Sequence, residues 1–205
     1  EIPGDGGRTK GEGLTALMAA TREGRGEVMR LLLDGVQVRN TLVRCSVDLC
    51  NTVGETALHL AASRGDAHLC SLLLSSRASP CARDALGLTP LHHSVSSRNT
   101  ELISLLVEKG AQVEAHAANG QTPMQQCAAA IAALARAHQR RHMTEAEALE
   151  EGEHILVMEV LIEQGAVMAE TDRHFKLGVP EELRPAVHIN AERARRQAII
   201  SGLAE

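Results

Sequence analysis

The sequence predicts an all-α solenoid of stacked helix pairs joined by β-turn fingers. It also predicts a long helical hairpin inserted in the fourth pair and a helical cap at the C-terminus. Three observations carry this prediction: a four-residue motif that recurs at a 33-residue spacing, an apolar helical stripe after each copy, and a lack of aromatic residues other than Phe175. Burial must then come from Leu, Ala, Val, Ile and Met, which suits closely stacked helices better than a β-sandwich.

The recurring motif is TPLH at 89–92. It has a counterpart 33 residues earlier, TALH at 56–59, and another 33 residues later, TPMQ at 122–125. A first copy, TALM at 15–18, lies 41 residues before the second. Thr is a favourable helix N-cap, and the Pro after it lacks only an N–H that the first turn leaves unpaired. Each copy therefore predicts the start of a helix.

The units resemble the ankyrin repeat, which has a length of about 33 residues and a T-P-L-H-x-A core. Two copies are near this consensus and two are degenerate. The resemblance implies that His59 and His92 act as polar clamps on the Thr or on loop backbone, and not as catalytic or metal-binding groups. We expect the following organisation: a flexible N-terminal segment at 1–11, an ankyrin domain at 12–168 with repeats near 13–40, 54–82, 87–115 and 120–168, and a C-terminal capping segment at 169–205.

Two places depart from the repeat. The connection between copies one and two, 36–53, is eight residues longer than expected, and the partial alternation of its valines allows an irregular hairpin. In copy four, alanine-rich sequence continues the inner helix from about Pro123 to His142. Thr144 and Glu147 then form a capping-box pattern for a second helix that reaches Gln164. This places an insertion at about 132–153, whose two arms would project by roughly 16 Å.

The tail carries no further repeat, and a solenoid needs its open end covered. We expect Phe175, Leu177, Val179 and Leu183 to cover it. Asn190 is expected to serve as the N-cap of a final helix.

The sequence shows no catalytic pattern: it has no glycine-rich phosphate loop, no Gly-x-Ser-x-Gly, no His-Glu-x-x-His and no Cys-x-x-Cys. The pairs Cys45 with Cys50 and His138 with His142 lack further ligands, so neither a metal nor another cofactor is expected. A formal charge of −5 argues against nucleic-acid binding through a basic surface. A run of about 18 apolar residues, as a membrane span would need, is absent from the sequence.

The resemblance implies a non-catalytic scaffold or adaptor, a monomer by itself, that binds another protein on a concave surface. Because the chain lacks Trp and Tyr, aromatic anchors would have to come from the partner. The repeat register selects the following surface positions: Glu55, Leu60, Arg64, Asp84, Leu88, His93, Ser97, His116, Asn119, Gln121 and Gln126.

Five scattered cysteines favour a reducing compartment, the cytosol or the nucleus. The first residue is Glu, and the first residues lack the features of a signal peptide, so we expect a fragment of a longer chain. The alternative function is therefore a regulatory or substrate-recruiting ankyrin part of a larger enzyme or of a ubiquitin-ligase-type complex.

Overall fold

Helices follow one another in pairs along the chain. The computed structural model describes residues 13–38, 41–43, 45–140, 145–168 and 179–191. In each pair an inner helix is followed by an outer helix, and successive inner helices pack on one another, as do successive outer helices. The inner helices are α1 (Ala16–Arg22), α3 (Ala57–Arg64), α5 (Pro90–Ser97) and α7 (Pro123–Arg140), and the outer helices are α2 (Gly26–Asp34), α4 (Ala67–Ser75), α6 (Thr100–Glu108) and α8 (Glu145–Glu163).

The fourth pair is much longer than the other three. Helix α7 has 18 residues and α8 has 19, whereas α5 and α6 have 8 and 9. The predicted helical hairpin is therefore confirmed. The turn at 141–144, with the predicted cap Thr144, lies outside the described residues.

A two-stranded hairpin occupies the lengthened connection after α2. Strands β1 (Val36–Val38) and β2 (Thr41–Val43) pair in antiparallel register, with Val36 opposite Val43. The hairpin that the valine pattern allowed is present.

The core is a row of equivalent side chains that runs through the stack. The third residue of the motif is Leu17, Leu58, Leu91 or Met124, and each is at most 1% exposed. Burying a side chain of this kind contributes about 1.5–3 kcal/mol. The outer helices add a second row, which includes Leu69, Leu73, Leu102, Leu106, Val157 and Leu161.

A histidine caps the N-terminus of each of the two central inner helices, α3 and α5. His59 Nδ1 lies 3.1 Å from the Thr56 backbone N, and His59 Nε2 lies 3.1 Å from the Leu88 carbonyl O in the next finger. A carbonyl can only accept, so Nε2 carries the proton and Nδ1 accepts from the Thr56 N–H. His92 joins Thr89 to the Gln121 carbonyl in the same way. The predicted clamp is confirmed, and it spans two repeats.

The first and fourth copies of the motif have no histidine at this position and cap the helix with other groups. In the first copy the Thr15 hydroxyl accepts from the Met18 N–H at 3.2 Å. In the fourth, Gln125 Oε1 accepts from the Thr122 N–H at 2.9 Å. The fourth copy therefore keeps the acceptor of the clamp without a group that titrates near neutrality.

The fingers are the turns at 51–54, 84–87 and 117–120 that precede the inner helices. A backbone hydrogen bond joins each finger to the next. The Ala85 N–H donates to the Val53 carbonyl at 3.0 Å, and the Ala118 N–H donates to the Leu86 carbonyl at 2.8 Å. This approach requires glycine at the turn: Gly87 has φ +71°, and a Cβ there would lie 2.7 Å from the Ala118 N.

Arg98 ties the inserted hairpin to the third repeat. It ends α5 with φ 57°, at the position where the first two repeats have Gly24 and Gly65. Its Nε lies 2.8 Å from a carboxylate oxygen of Glu153, and its Nη1 lies 3.6 Å from one of Glu150. The left-handed backbone costs about 1–2 kcal/mol for a residue with a Cβ, and a partly exposed, solvent-screened ion pair such as this one returns about 1 kcal/mol. The value of Arg98 therefore lies in positioning α8 more than in stability.

The C-terminal segment covers the open end of the stack. A 3₁₀ turn (Glu181–Leu183) leads into a helix at 184–191. Val179 is buried and Leu183 packs on the core, as predicted, while Phe175 and Leu177 lie outside the described residues.

The prediction for Asn190 was wrong. This residue lies within the helix at 184–191, so it is not an N-cap. Its side-chain amide donates to the Ile162 carbonyl at 2.8 Å and to the Ala166 carbonyl at 3.2 Å. Asn190 therefore ties the C-terminal helix to the end of α8 and to the residues just after it, which local sequence could not reveal.

We expect Gly87→Ala to destabilise the protein by more than about 2 kcal/mol, because it adds a steric clash to the left-handed backbone. Gly120→Ala is the matched control: Gly120 has φ +78°, but nothing lies within 4 Å of the added Cβ. Urea denaturation should show a clearly smaller loss for the control. Equal losses would mean that the close approach between fingers does not contribute.

We expect acid to weaken the protein through its two histidine clamps. Burial lowers the pKa of His59 and of His92, so the unfolded chain binds more protons than the folded chain. This contribution is complete above about pH 6.5 and is lost as the pH falls towards the folded pKa values. The double variant His59→Gln, His92→Gln, which copies the fourth repeat, should be less stable at neutral pH.

The stability of this double variant should also depend less on pH over that window. Urea denaturation across a pH series measures both effects. An unchanged pH dependence would show that the clamps are not the groups that titrate.

Candidate protein-binding surface

The tips of the fingers form a row of exposed side chains. Val53, Leu86 and Asn119 each precede the glycine of a finger turn, and the bonds between fingers place them side by side. Val53 is 54% exposed and Leu86 is 66% exposed. Val53 and Leu86 are not among the surface positions that the repeat register predicted. The available signal was an apolar residue at a turn tip in two successive copies.

Carboxylate and amide side chains set the shape of the fingers. Asp84 Oδ1 accepts from the Leu86 N–H at 2.9 Å and from the Leu88 N–H at 2.8 Å. Asn51 does the same for Val53 and Glu55 at 3.0 and 2.9 Å. The tips are therefore held in place before any partner arrives.

Two of the predicted surface residues bind each other. His93 Nε2 lies 3.1 Å from Asp84 Oδ2, and their side chains are only 14% and 6% exposed. The ring of His93 also meets that of His59 edge-on, with centroids 5.3 Å apart. Asp84 therefore acts mainly on its own finger, and His93 fixes the face of α5 against that finger.

Gln126 occupies the position of His93 one repeat later, but it lacks the acidic partner. The residue equivalent to Asp84 is Ala117. The Gln126 side-chain amide therefore turns to the preceding inner helix, α5, and donates to Ser96 Oγ at 3.0 Å. Its Oε1 is the only buried side-chain N or O without a hydrogen-bond partner in the part of the chain that the structure describes. An added donor at this point would satisfy it.

Two guanidinium groups bridge neighbouring repeats. Arg64 Nη1 donates to the Arg22 carbonyl at 2.7 Å, and Arg83 Nη1 donates to the His116 carbonyl at the same distance. Within the described ranges neither group forms an ion pair with a carboxylate. Their positive charge is therefore available to an acidic partner.

We call the finger tips together with the adjoining faces of α3, α5 and the start of α7 the inner surface. The structure places the predicted residues at different depths on it. Arg64, His116 and Asn119 are exposed. Glu55, Leu60, Leu88, Ser97, Gln121 and Gln126 are half-buried. Asp84 and His93 are the least accessible of the set, because their side chains pair with each other.

The two buried thiols are structural. Burial raises the pKa of Cys70 and of Cys127 to about 12, so both are protonated at neutral pH and are poor nucleophiles. Cys127 Sγ also donates to the His154 carbonyl at 3.1 Å, which joins α7 to α8.

The described residues contain neither a metal site nor a membrane-spanning helix. Among them no group of three or more His, Cys, Asp or Glu side chains is placed to hold a metal ion. No helix in these ranges has the length and apolar character to cross a bilayer.

The comparisons with known proteins agree with this architecture. A family model for three copies of the ankyrin repeat matches residues 3–84, 37–117 and 65–136. These matches span 3–136, which is more than half of the chain. A search of curated proteins returned no match. With its repeat spacing, its clamps and its stacked pairs, the chain belongs to the ankyrin repeat family.

Proposed function

We propose that this chain is a non-catalytic adaptor that binds a partner protein on its inner surface. Ankyrin repeats generally mediate protein–protein interaction, and this family property supports the proposal. The observation that carries it is the row of exposed apolar tips, Val53 and Leu86, on a surface that also carries the guanidinium groups of Arg64 and Arg83.

The surface is suited to binding because it is already ordered. The hydrogen bonds of Asn51 and Asp84 hold the tips, and the clamps of His59 and His92 hold the fingers on the helices. A preorganised surface loses little conformational entropy when it binds. The partner would offer apolar side chains to the tips and carboxylates to Arg64 and Arg83.

The partner also has to supply any aromatic anchors. Trp and Tyr dominate the residues that contribute most to interface affinity, and this chain contains neither. The five cysteines are free, which supports a reducing compartment such as the cytosol or the nucleus.

The double variant Val53→Asp, Leu86→Asp tests the inner surface. We expect it to weaken binding of a partner, captured with the wild-type chain and then purified, by about thirtyfold, or about 2 kcal/mol. Both positions are exposed, so stability should change by less than about 0.5 kcal/mol. Isothermal titration calorimetry measures the affinity.

Leu31→Glu, Ile189→Glu, a pair of comparably exposed apolar residues outside the inner surface, is the matched control and should bind this partner at full strength. Full-strength binding by the folded Val53/Leu86 variant would remove the inner surface from the interaction.

A further inference from the structure

Helix α8 presents apolar side chains to solvent on the side away from the core. Leu149 is 68% exposed and Leu156 is 54% exposed. They are seven residues apart, with Gly152 between them, so all three share one helix face. We call these three residues the α8 stripe.

The stripe is peculiar to the fourth repeat. By repeat register, the counterparts of Leu156 on the other outer helices are Glu27, His68 and Glu101, all polar and exposed. Leu149 lies in the inserted part of α8 and has no counterpart. A soluble outer helix normally keeps this face polar, so the two leucines call for an explanation other than the repeat pattern.

Acidic side chains border the stripe. Helix α8 contains seven Glu and neither Lys nor Arg. Glu150 and Glu153 face Arg98. Glu159 and Glu163, three and seven residues after Leu156, are exposed on the same side and form no ion pair within the described ranges. The stripe is therefore an apolar row with unneutralised negative charge beside it.

This chemistry favours one kind of occupant. An extended strand would need backbone partners, which the side of a helix cannot offer. A second copy would place glutamates against glutamates, and an anionic lipid surface would be repelled for the same reason. A helix with its own leucine row can pack along the stripe, and Gly152 leaves room for close approach, because nothing lies within 4 Å of its missing Cβ.

We propose that the α8 stripe is a second docking surface, which binds a basic amphipathic helix of a partner protein. The basic side chains of that helix would lie against Glu159 and Glu163, and its apolar row against Leu149 and Leu156. This surface is separate from the inner surface, so the two could be occupied together.

The test uses the full chain and a synthetic peptide of Leu, Lys and Ala with one Trp. Its leucines form a single helical row with lysines on both borders. Because the protein has no Trp and no Tyr, the peptide provides the only indole emission. Two control peptides have the same leucines scattered around the helix, or Glu in place of Lys. We expect the basic amphipathic peptide to bind at least about tenfold more tightly than either control.

Protein variants then locate the binding. Leu149→Glu, Leu156→Glu should weaken binding of the basic amphipathic peptide by about tenfold or more. Glu159→Gln, Glu163→Gln should reduce both the affinity for this peptide and the dependence of that affinity on salt. Glu27→Gln, Glu101→Gln, at two exposed glutamates of the other outer helices, is the matched control and should leave binding unchanged. Circular dichroism checks that each variant is folded.

Four results would overturn the proposal. One is equal binding of the amphipathic and scattered peptides, or of the lysine and glutamate peptides. Another is unchanged binding to the Leu149/Leu156 variant. A third is self-association, seen by sedimentation and abolished by that variant, which would assign the stripe to a second copy. The last is peptide binding that appears only after deletion of residues 192–205, which would assign it to the chain's own C-terminus.

Discussion

The imidazole of His59 holds together three things at once: the start of α3, the cap residue Thr56 and the finger of the following repeat. One ring nitrogen accepts from the Thr56 N–H and the other donates to the Leu88 carbonyl. His92 does the same one repeat later, towards Gln121. Because both nitrogens are engaged and the rings are buried, the position of each finger follows from the position of the helix before it. The positions of the exposed finger tips are fixed in the same way.

The stack consequently presents two faces of different chemistry on one scaffold. The inner surface combines apolar tips with the guanidinium groups of Arg64 and Arg83, whereas the outer face of α8 combines leucines with glutamates. Arg98 lies between these regions, and its pairing with Glu153 holds the inserted arm against the third repeat. If both surfaces bind as proposed, the close-packed helices between them would hold two partners of opposite charge at a fixed separation.

Sequence could predict the parts of this structure that depend on short-range rules. The recurrence of the motif, the Thr caps and the continuation of α7 through its alanine-rich sequence follow from spacing and propensity alone. The predicted surface residues were chosen by register, which locates a position but not its partner. The pairing of Asp84 with His93, and the turn of Gln126 towards Ser96, depend on which residue the neighbouring finger carries. Asn190 shows the same limit, because its acceptors lie 24 and 28 residues away in sequence.

The single backbone hydrogen bond between successive fingers has a mechanical consequence. Between the fingers at 51–54 and 84–87 the link is Ala85 to Val53, and between the latter and 117–120 it is Ala118 to Leu86. Bonds in such an arrangement are loaded in series when the ends of the stack are pulled apart, and each repeat contacts only its neighbours. When the ends of the stack are pulled apart, the load would therefore pass through every interface between repeats in turn, and the stack would open first at the interface with the least packing.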